Sequence, residues 1–196
     1  MEKLDLLVWD AAALDAPLEV PGLRSLSVSV AADLEKPPIL MGRGPSLAGL
    51  VELWVDSLDG WRDIVAQLPG DLYLVTESVP QQPSGAAGLL THLSWFPKPD
   101  RLSDEDFFHG WHVVHTPTTG ALHPLRQGYV RDAVARVLTP GSPAIRAIVS
   151  EYFATEDYLD PERLFGSPEA LRQSVDELPL YADFADVSSR PLYRRD

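Results

Sequence analysis

The sequence contains no cysteine and has few basic residues for its length. Without cysteine the chain has no disulfide, thiol nucleophile, iron-sulfur cluster or thiolate zinc site, so His, Asp and Glu are left for acid/base chemistry or metal binding. Sixteen Lys and Arg stand against 29 Asp and Glu, which gives a net charge of −13. Because so negative a surface repels phosphate backbones and anionic lipids, we expect neither nucleic acid nor a membrane as partner.

Long apolar runs are missing as well. No stretch approaches the roughly 20 apolar residues of a membrane-spanning helix, and Met1–Asp5 has no basic region that feeds a hydrophobic one. We therefore expect a cytoplasmic protein. Proline, by contrast, is abundant at 18 residues, which indicates many short elements rather than a few long helices.

The two halves of the sequence share one pattern. Residues 49–57 and 148–156 each resemble a strand that runs into a turn. In both segments a glutamate precedes a large aromatic residue by two positions, so Glu52 and Trp54 share one strand face, as do Glu151 and Phe153. Further strands are predicted at 4–9, 22–30, 72–75, 89–96, 128–137 and 181–184. The pattern of each half is therefore strand, strand, helix, strand after an opening strand.

The halves differ where the first helix belongs. In the second half Ser103 is a good N-cap, with acidic residues behind it, and predicts a helix from about Asp104 to His115 that Pro117 and Gly120 end. The first half has only residues 10–14 at that place, so its helix is lost or reduced to a turn. A second helix is predicted near 169–176, after an insertion at 157–168.

This pattern, βαββαβ, is typical of a ferredoxin-like α+β unit, whose sheet leaves one face uncovered. We predict two such units, at 1–82 and 88–196, joined by a linker at 80–88 that is rich in Pro, Gln, Ser and Gly. Packing the two sheets face to face buries the uncovered faces. We therefore expect a monomeric pseudo-dimer, or a homodimer of it.

Several motifs carry a family resemblance. Residues 102–107 open the second-half helix, Trp111 precedes His115-Thr116-Pro117 by four positions, and residues 128–130 read Gly-Tyr-Val. This run resembles the EthD (ethyl tert-butyl ether degradation) family of the dimeric α+β barrel superfamily. The first half keeps residues 52–58 and, at 15–18, Asp-Ala-Pro-Leu where the family has His-Ala-Pro-Leu. The resemblance implies a tandem repeat of two EthD-like units that form an intramolecular dimeric α+β barrel, with a degenerate first unit and the working pocket in the second.

His115 is the predicted catalytic residue. A histidine exchanges protons near neutral pH, and at a helix end that faces a partly apolar pocket it suits general acid/base chemistry on an enolisable or hydroxylated substrate. The structural alternative is that His115 caps the helix and bonds a carbonyl before Pro117. The family resemblance keeps the catalytic interpretation level with this one.

Eight further residues are predicted to bind a ligand: His92, Trp111, His112, Tyr129, Glu151, Phe153, Glu52 and Trp54. The structural alternatives are core packing for Trp111, a satisfied sheet position for His92 and a solvated position for His112. For the two glutamates the alternatives are exposure or pairing with an arginine such as Arg131 or Arg146. His109, His112 and His115 spread over about a third of the helix circumference. No acidic ligand accompanies them, so we predict neither a metal nor a cofactor.

The resemblance implies a protein that binds a small hydrophobic or aromatic oxygenated metabolite of a polyketide or xenobiotic pathway. Its chemistry would be cofactor-free acid/base catalysis by a lyase, dehydratase, cyclase or decarboxylase. Two alternatives stay open. One is a non-catalytic binding or accessory protein of such a pathway; the other is an antibiotic-monooxygenase-like or haem-binding oxygenase.

Overall fold

Eight stretches of alternating side chains form strands in the structure, a computed structural model that describes residues 1–15, 20–42, 46–60, 62–63, 65, 68–85 and 88–195. In chain order the strands are β1 (Glu2–Val8), β2 (Leu23–Ala31), β3 (Gly49–Val55), β4 (Asp71–Gln81), β5 (Leu90–Pro97), β6 (Gly128–Val137), β7 (Ile145–Phe153) and β8 (Ser188–Arg195). All except β8 overlap a strand that the sequence predicts.

The strands close into one antiparallel barrel in the order β1-β3-β2-β8-β5-β7-β6-β4, with β4 paired back to β1. The predicted arrangement of two ferredoxin-like α+β units packed sheet to sheet is therefore wrong. The halves meet edge to edge, through β2 with β8 and β4 with β6. Backbone hydrogen bonds thus join the halves, and closure leaves none of the eight described strands at a sheet edge.

Both faces of the barrel wall are buried over much of its extent. One cluster of buried residues draws on seven strands, including Leu7, Leu50, Tyr73, Leu93 and Ile148, and fills the lumen. The alternate residues of the first half form a second cluster on the outer face. This double burial explains why the strand patterns show no solvated face.

Helical segments cover the outside of the second half. They are α1 (Asp104–Phe108), a π-helical segment (His109–His115), α2 (Thr116–Leu122), α3 (Thr155–Leu159), α4 (Pro161–Leu164) and α5 (Pro168–Glu177). Ser103 caps α1 as predicted, since its side chain accepts a hydrogen bond from the Asp106 amide. The predicted helix end at Pro117 is wrong: Pro117 lies in the first turn of α2, where a missing N–H is tolerated.

Of two further structural predictions, one is confirmed and one is wrong. The first-half helix is reduced to a 3₁₀ turn at Ala11–Asp15, as predicted, while residues 16–18 of the first-half motif lie outside the described residues. The predicted strand at 181–184 is wrong, because Tyr181 and Ala182 are buried in the layer between barrel and helices rather than paired in the sheet. Within the described ranges, no helix is long and apolar enough to cross a membrane.

Candidate functional site

A cavity of about 400 Å³ lies between the outer face of the barrel and its helical cover. Its walls come from β5, β6 and β7, from the helical stretch between Trp111 and His123, from α5, and from the first-half segment Pro38–Met41. Pockets that bind small molecules span about 300–1,000 Å³. The cavity therefore has the size of a small-molecule site, and most of it belongs to the second half.

Strand alternation places the polar residues of the inner wall. His92, Ser94 and Phe96 point outward from β5, while Val149 and Glu151 point outward from β7. In the sheet register, His92 stands directly opposite Glu151, and Glu151 stands opposite Tyr129 on β6. Directly paired residues share a sheet face, so Glu151 lies between His92 and Tyr129.

Glu151 is held by a buried cation. Arg126 Nη1 donates to Glu151 Oε1 at 2.5 Å, and the Arg126 guanidinium lies 4.2 Å above the Tyr129 ring. Burial alone would raise the pKa of Glu151, but the neighbouring His123, Arg126 and His92 outweigh it and lower the pKa to about 2. Glu151 is therefore ionised at neutral pH.

His92 has both ring nitrogens engaged. Nδ1 lies 3.0 Å from the Tyr158 hydroxyl, and Nε2 lies 3.2 Å from Ser94 Oγ. Because Tyr158 donates its own hydrogen to the Ile39 carbonyl, its oxygen accepts from Nδ1, and Nε2 then accepts from Ser94. Burial lowers the pKa of His92 to about 4, so the ring is neutral and positions its neighbours.

His115 is buried against the cavity with a less complete set of partners. Its ring stacks on Tyr181 with centroids 4.5 Å apart. Nδ1 lies 3.5 Å from Glu177 Oε2 and has no hydrogen bond within the described ranges. Burial lowers the pKa of His115, against the opposing effects of Glu151 and Glu177. The capping alternative does not hold, since the helical stretch continues to Leu122 and His115 makes no side-chain cap bond.

His123 and Arg126 also belong to this site, and neither was predicted from the sequence. His123 follows α2 directly, and its Nδ1 donates to the Leu164 carbonyl at 2.8 Å, which leaves Nε2 as an acceptor in the neutral ring. Its position before Pro124 at a helix end was the available signal. The prediction that Arg131 or Arg146 pairs with Glu52 or Glu151 is wrong. Arg131 donates to Ser78 and Thr116. Arg146 donates to Asp104 and to the Val134 carbonyl.

The cavity brings together five of the nine predicted site residues: His92, Trp111, His115, Tyr129 and Glu151. The structure adds Tyr181, whose ring stacks on His115.

 The other four predicted residues lie elsewhere. His112 is half-buried between the rings of Phe108 and Trp111, and Phe153 packs behind the cavity against His123 and Tyr158.

Glu52 and Trp54 lie in the barrel lumen, where both contact Lys3. They are therefore separated from the cavity by the barrel wall. The shared pattern of Glu52 with Trp54 and Glu151 with Phe153 is thus misleading, because the first pair faces the lumen and the second faces the helices.

The rest of the cavity wall is mainly apolar. Phe96, Val149 and Val187 form buried walls, and the rim carries exposed apolar side chains, among them Phe184 at 66% and Val175 at 55% exposure. A ligand that enters here passes an apolar rim and reaches the polar groups of the inner wall. The arrangement suits a mainly hydrophobic molecule with a polar group at one end.

Comparison with known proteins shows a likeness of fold. No protein-family model and no curated protein matches the chain. Among solved structures, the crystal structure of an anthrone oxidase-like protein matches with a TM-score of 0.63 and 14% sequence identity, over all of this chain and 91% of that one. At this identity the match shows a distant fold relation, and membership of the EthD family is not shown.

Proposed function

We propose that the cavity binds a small aromatic molecule that carries a hydroxyl or enol group. The observation that carries this proposal is the polar inner wall at the end of an apolar cavity. The resemblance of the sequence to the EthD family supports it, as does the fold likeness to an anthrone oxidase-like protein. Anthrones are tricyclic aromatic ketones with an enol form, and so belong to this class of molecule.

The inner wall favours a ligand that donates hydrogen bonds. Ser94 gives its hydrogen to His92, so the Ser94 oxygen keeps its lone pairs for a ligand. Glu151 is an ionised acceptor. A hydroxyl group finds partners here, whereas an ether oxygen would leave these buried acceptors without a hydrogen, at a cost of about 1–3 kcal/mol for each unsatisfied group.

We further propose that His115 acts as the general base. The carboxylate of Glu177 favours the tautomer with the proton on Nδ1, which leaves the Nε2 lone pair for a substrate. His115 Nε2 takes a proton from an acidic carbon or hydroxyl, and the bonding electron pair stays on the substrate as an enolate or phenolate. Glu177 then stabilises the imidazolium until the proton returns to the substrate at the same or another atom.

Calorimetric titration with matched ligands tests the binding proposal. We expect 2-naphthol to bind at least tenfold more tightly than 2-methoxynaphthalene, and Glu151→Gln to reduce this preference. Glu169→Gln, an exposed glutamate on α5, is the matched control and keeps the preference. Equal affinity for the two ligands, or failure of both to bind at their solubility limits, would contradict the proposal.

Proton exchange tests the catalytic step with the related ketone 2-tetralone in D₂O. We expect the wild-type protein to speed the exchange of its acidic C–H for deuterium, as followed by NMR, and His115→Gln to slow this exchange by about 10²–10⁴-fold, the usual contribution of a general base. A wild-type protein that binds 2-naphthol but gives no exchange would support the non-catalytic binding alternative instead.

A further inference from the structure

The barrel lumen contains a second polar cluster, which consists of Lys3, Asp5, Glu52, Glu77 and Asp132. Lys3 Nζ lies 2.9 Å from Glu52, 2.7 Å from Glu77 and 2.9 Å from Asp132. In the sheet register Asp5 stands opposite Glu52, and Glu77 opposite Asp132. Like charges at directly paired positions repel each other, so each of these carboxylate pairs is destabilising unless a further group compensates its charge.

The charges in this cluster do not balance. Four carboxylates surround one ammonium group, so full ionisation leaves a net charge of −3. Asp5 is fully buried, and both of its carboxylate oxygens, like Asp132 Oδ1, make no hydrogen bond within the described residues. Asp5 lies 4.0 Å from Lys3 Nζ, beyond hydrogen-bond distance. Three buried carboxylate oxygens are thus left for a further partner.

We propose that Asp5, Glu52 and Asp132 bind one hard divalent cation, of the Mg²⁺, Mn²⁺ or Ca²⁺ class, beside Lys3. Carboxylate oxygens of the three residues lie within 4.8 Å of one another. Oxygens on opposite sides of such a cation are about 4–5 Å apart, because its metal-oxygen bonds are about 2.0–2.6 Å long. The all-oxygen donor set selects hard cations, and the ion reduces the excess charge from −3 to −1.

One side of the cluster is partly exposed to solvent. The Glu77 side chain is 34% exposed and that of Glu52 is 15% exposed, so this end of the lumen reaches the surface. A cation can therefore enter the folded protein. The site also departs from our expectation of no metal, which was based on the helix histidines alone.

The position of the ligands gives the cation a structural role. Asp5 and Glu52 lie on neighbouring strands of the first half, β1 and β3, whereas Asp132 lies on β6 of the second half. A bound cation therefore links the two halves across the lumen. Because it binds the folded barrel and not the unfolded chain, it raises the melting temperature in proportion to the logarithm of its concentration.

Manganese binding to the full chain, stripped of metal with a chelator, tests this proposal. We expect electron paramagnetic resonance of free Mn²⁺ to report one bound ion per chain, displaced by excess Mg²⁺ or Ca²⁺, and a higher melting temperature with the ion. Asp5→Asn and Glu52→Gln should each weaken binding at least tenfold. Asp104→Asn removes an exposed carboxylate of α1 by the same chemical change and should leave binding unchanged.

Absence of saturable Mn²⁺ binding at millimolar concentration would overturn the proposal, and would leave a proton shared among the carboxylates as the neutralising group. Binding that survives both Asp5→Asn and Glu52→Gln would place the ion elsewhere and would overturn it equally. Circular dichroism establishes that each variant is folded. If Asp5→Asn does not fold, Glu52→Gln decides the result, because its partly exposed side chain tolerates the change more easily.

Discussion

The cavity and the lumen each bury a carboxylate, but with opposite surroundings. Glu151 meets Arg126, His123 and His92, which lower its pKa to about 2. Asp5 is buried more completely, and burial followed by the charge of Asp132 raises its pKa well above the ordinary value. Both carboxylates are buried, so the sign of the neighbouring charges decides in which direction each pKa shifts.

The carboxylate charge is compensated within the chain in the cavity, but it is not fully compensated in the lumen. Glu151 has its cation within the chain, so the cavity needs nothing further to hold its charge and can use it toward a ligand. Asp5 has only Lys3 as a nearby cation, and Lys3 also pairs with Glu52, Glu77 and Asp132. We therefore expect opposite effects on stability when Arg126 is replaced in the cavity and Asp5 in the lumen.

The largest effect should come from removal of the cation in the cavity. Arg126→Met leaves Glu151 buried without its partner, and we expect the free energy of unfolding at pH 7 to fall by about 3–5 kcal/mol. Urea denaturation measures it. Arg172→Met, which breaks an exposed pair with Glu169, is the control and should cost less than about 0.5 kcal/mol. A loss below about 1 kcal/mol for Arg126→Met would show that Glu151 does not depend on this pair.

Acid should weaken the cavity next. His92 has an ordinary pKa of 6.5 and a pKa of about 4 in the folded protein. Between these values His92 takes up a proton in the unfolded chain but not in the folded protein. The stability that the neutral His92 contributes is therefore complete above pH 6.5 and is lost as the pH falls toward 4. The loss amounts to about 3 kcal/mol at most.

Unfolding free energies between pH 7 and 4 measure this dependence. His92→Gln should reduce this dependence, and His115, whose pKa is also lowered by burial, should account for part of what remains. His109→Gln makes the same change at an exposed position and should retain the wild-type slope. An unchanged slope in His92→Gln would mean that this histidine does not titrate as the cavity predicts.

The smallest effect should have the opposite sign. In the metal-free protein, Asp5→Asn removes a buried carboxyl group whose charged form is disfavoured by burial and by Asp132, and we expect the unfolding free energy to rise by about 1 kcal/mol. Excess Mg²⁺ should stabilise the wild type more than this variant, as thermal denaturation would show. A metal-free Asp5→Asn protein that is clearly less stable than the metal-free wild type would break the comparison, because Asp5 would then behave like Glu151.

Local signals predicted much of the secondary structure. Alternation located seven strands, and Ser103 marked the start of α1. The barrel closure was not predicted, because it depends on which edges pair across the two halves, such as β2 with β8, and a strand pattern carries no information about its partner. The last strand was misplaced because Tyr181 and Ala182 are apolar for a different reason, namely contact with the barrel from outside.

The site was predictable only in part for a similar reason. Alternation correctly puts His92 and Ser94 on one face, and the helix spacing puts Trp111 and His115 together. Alternation does not say whether a face points to the lumen or to the helices, which is why Glu52 was grouped with Glu151. Arg126 was missed because it lies in a connection between α2 and β6, where no periodic pattern constrains a side chain.

The most direct test of the contrast is a carboxyl ¹³C NMR titration of the metal-free protein, with Glu151→Gln and Asp5→Asn used to assign the two signals. We predict that Glu151 remains ionised down to at least about pH 3, whereas Asp5 takes up its proton well above the ordinary aspartate pKa of about 4. Titration of both groups near pH 4 would contradict the account, since it would mean that their neighbours do not distinguish them.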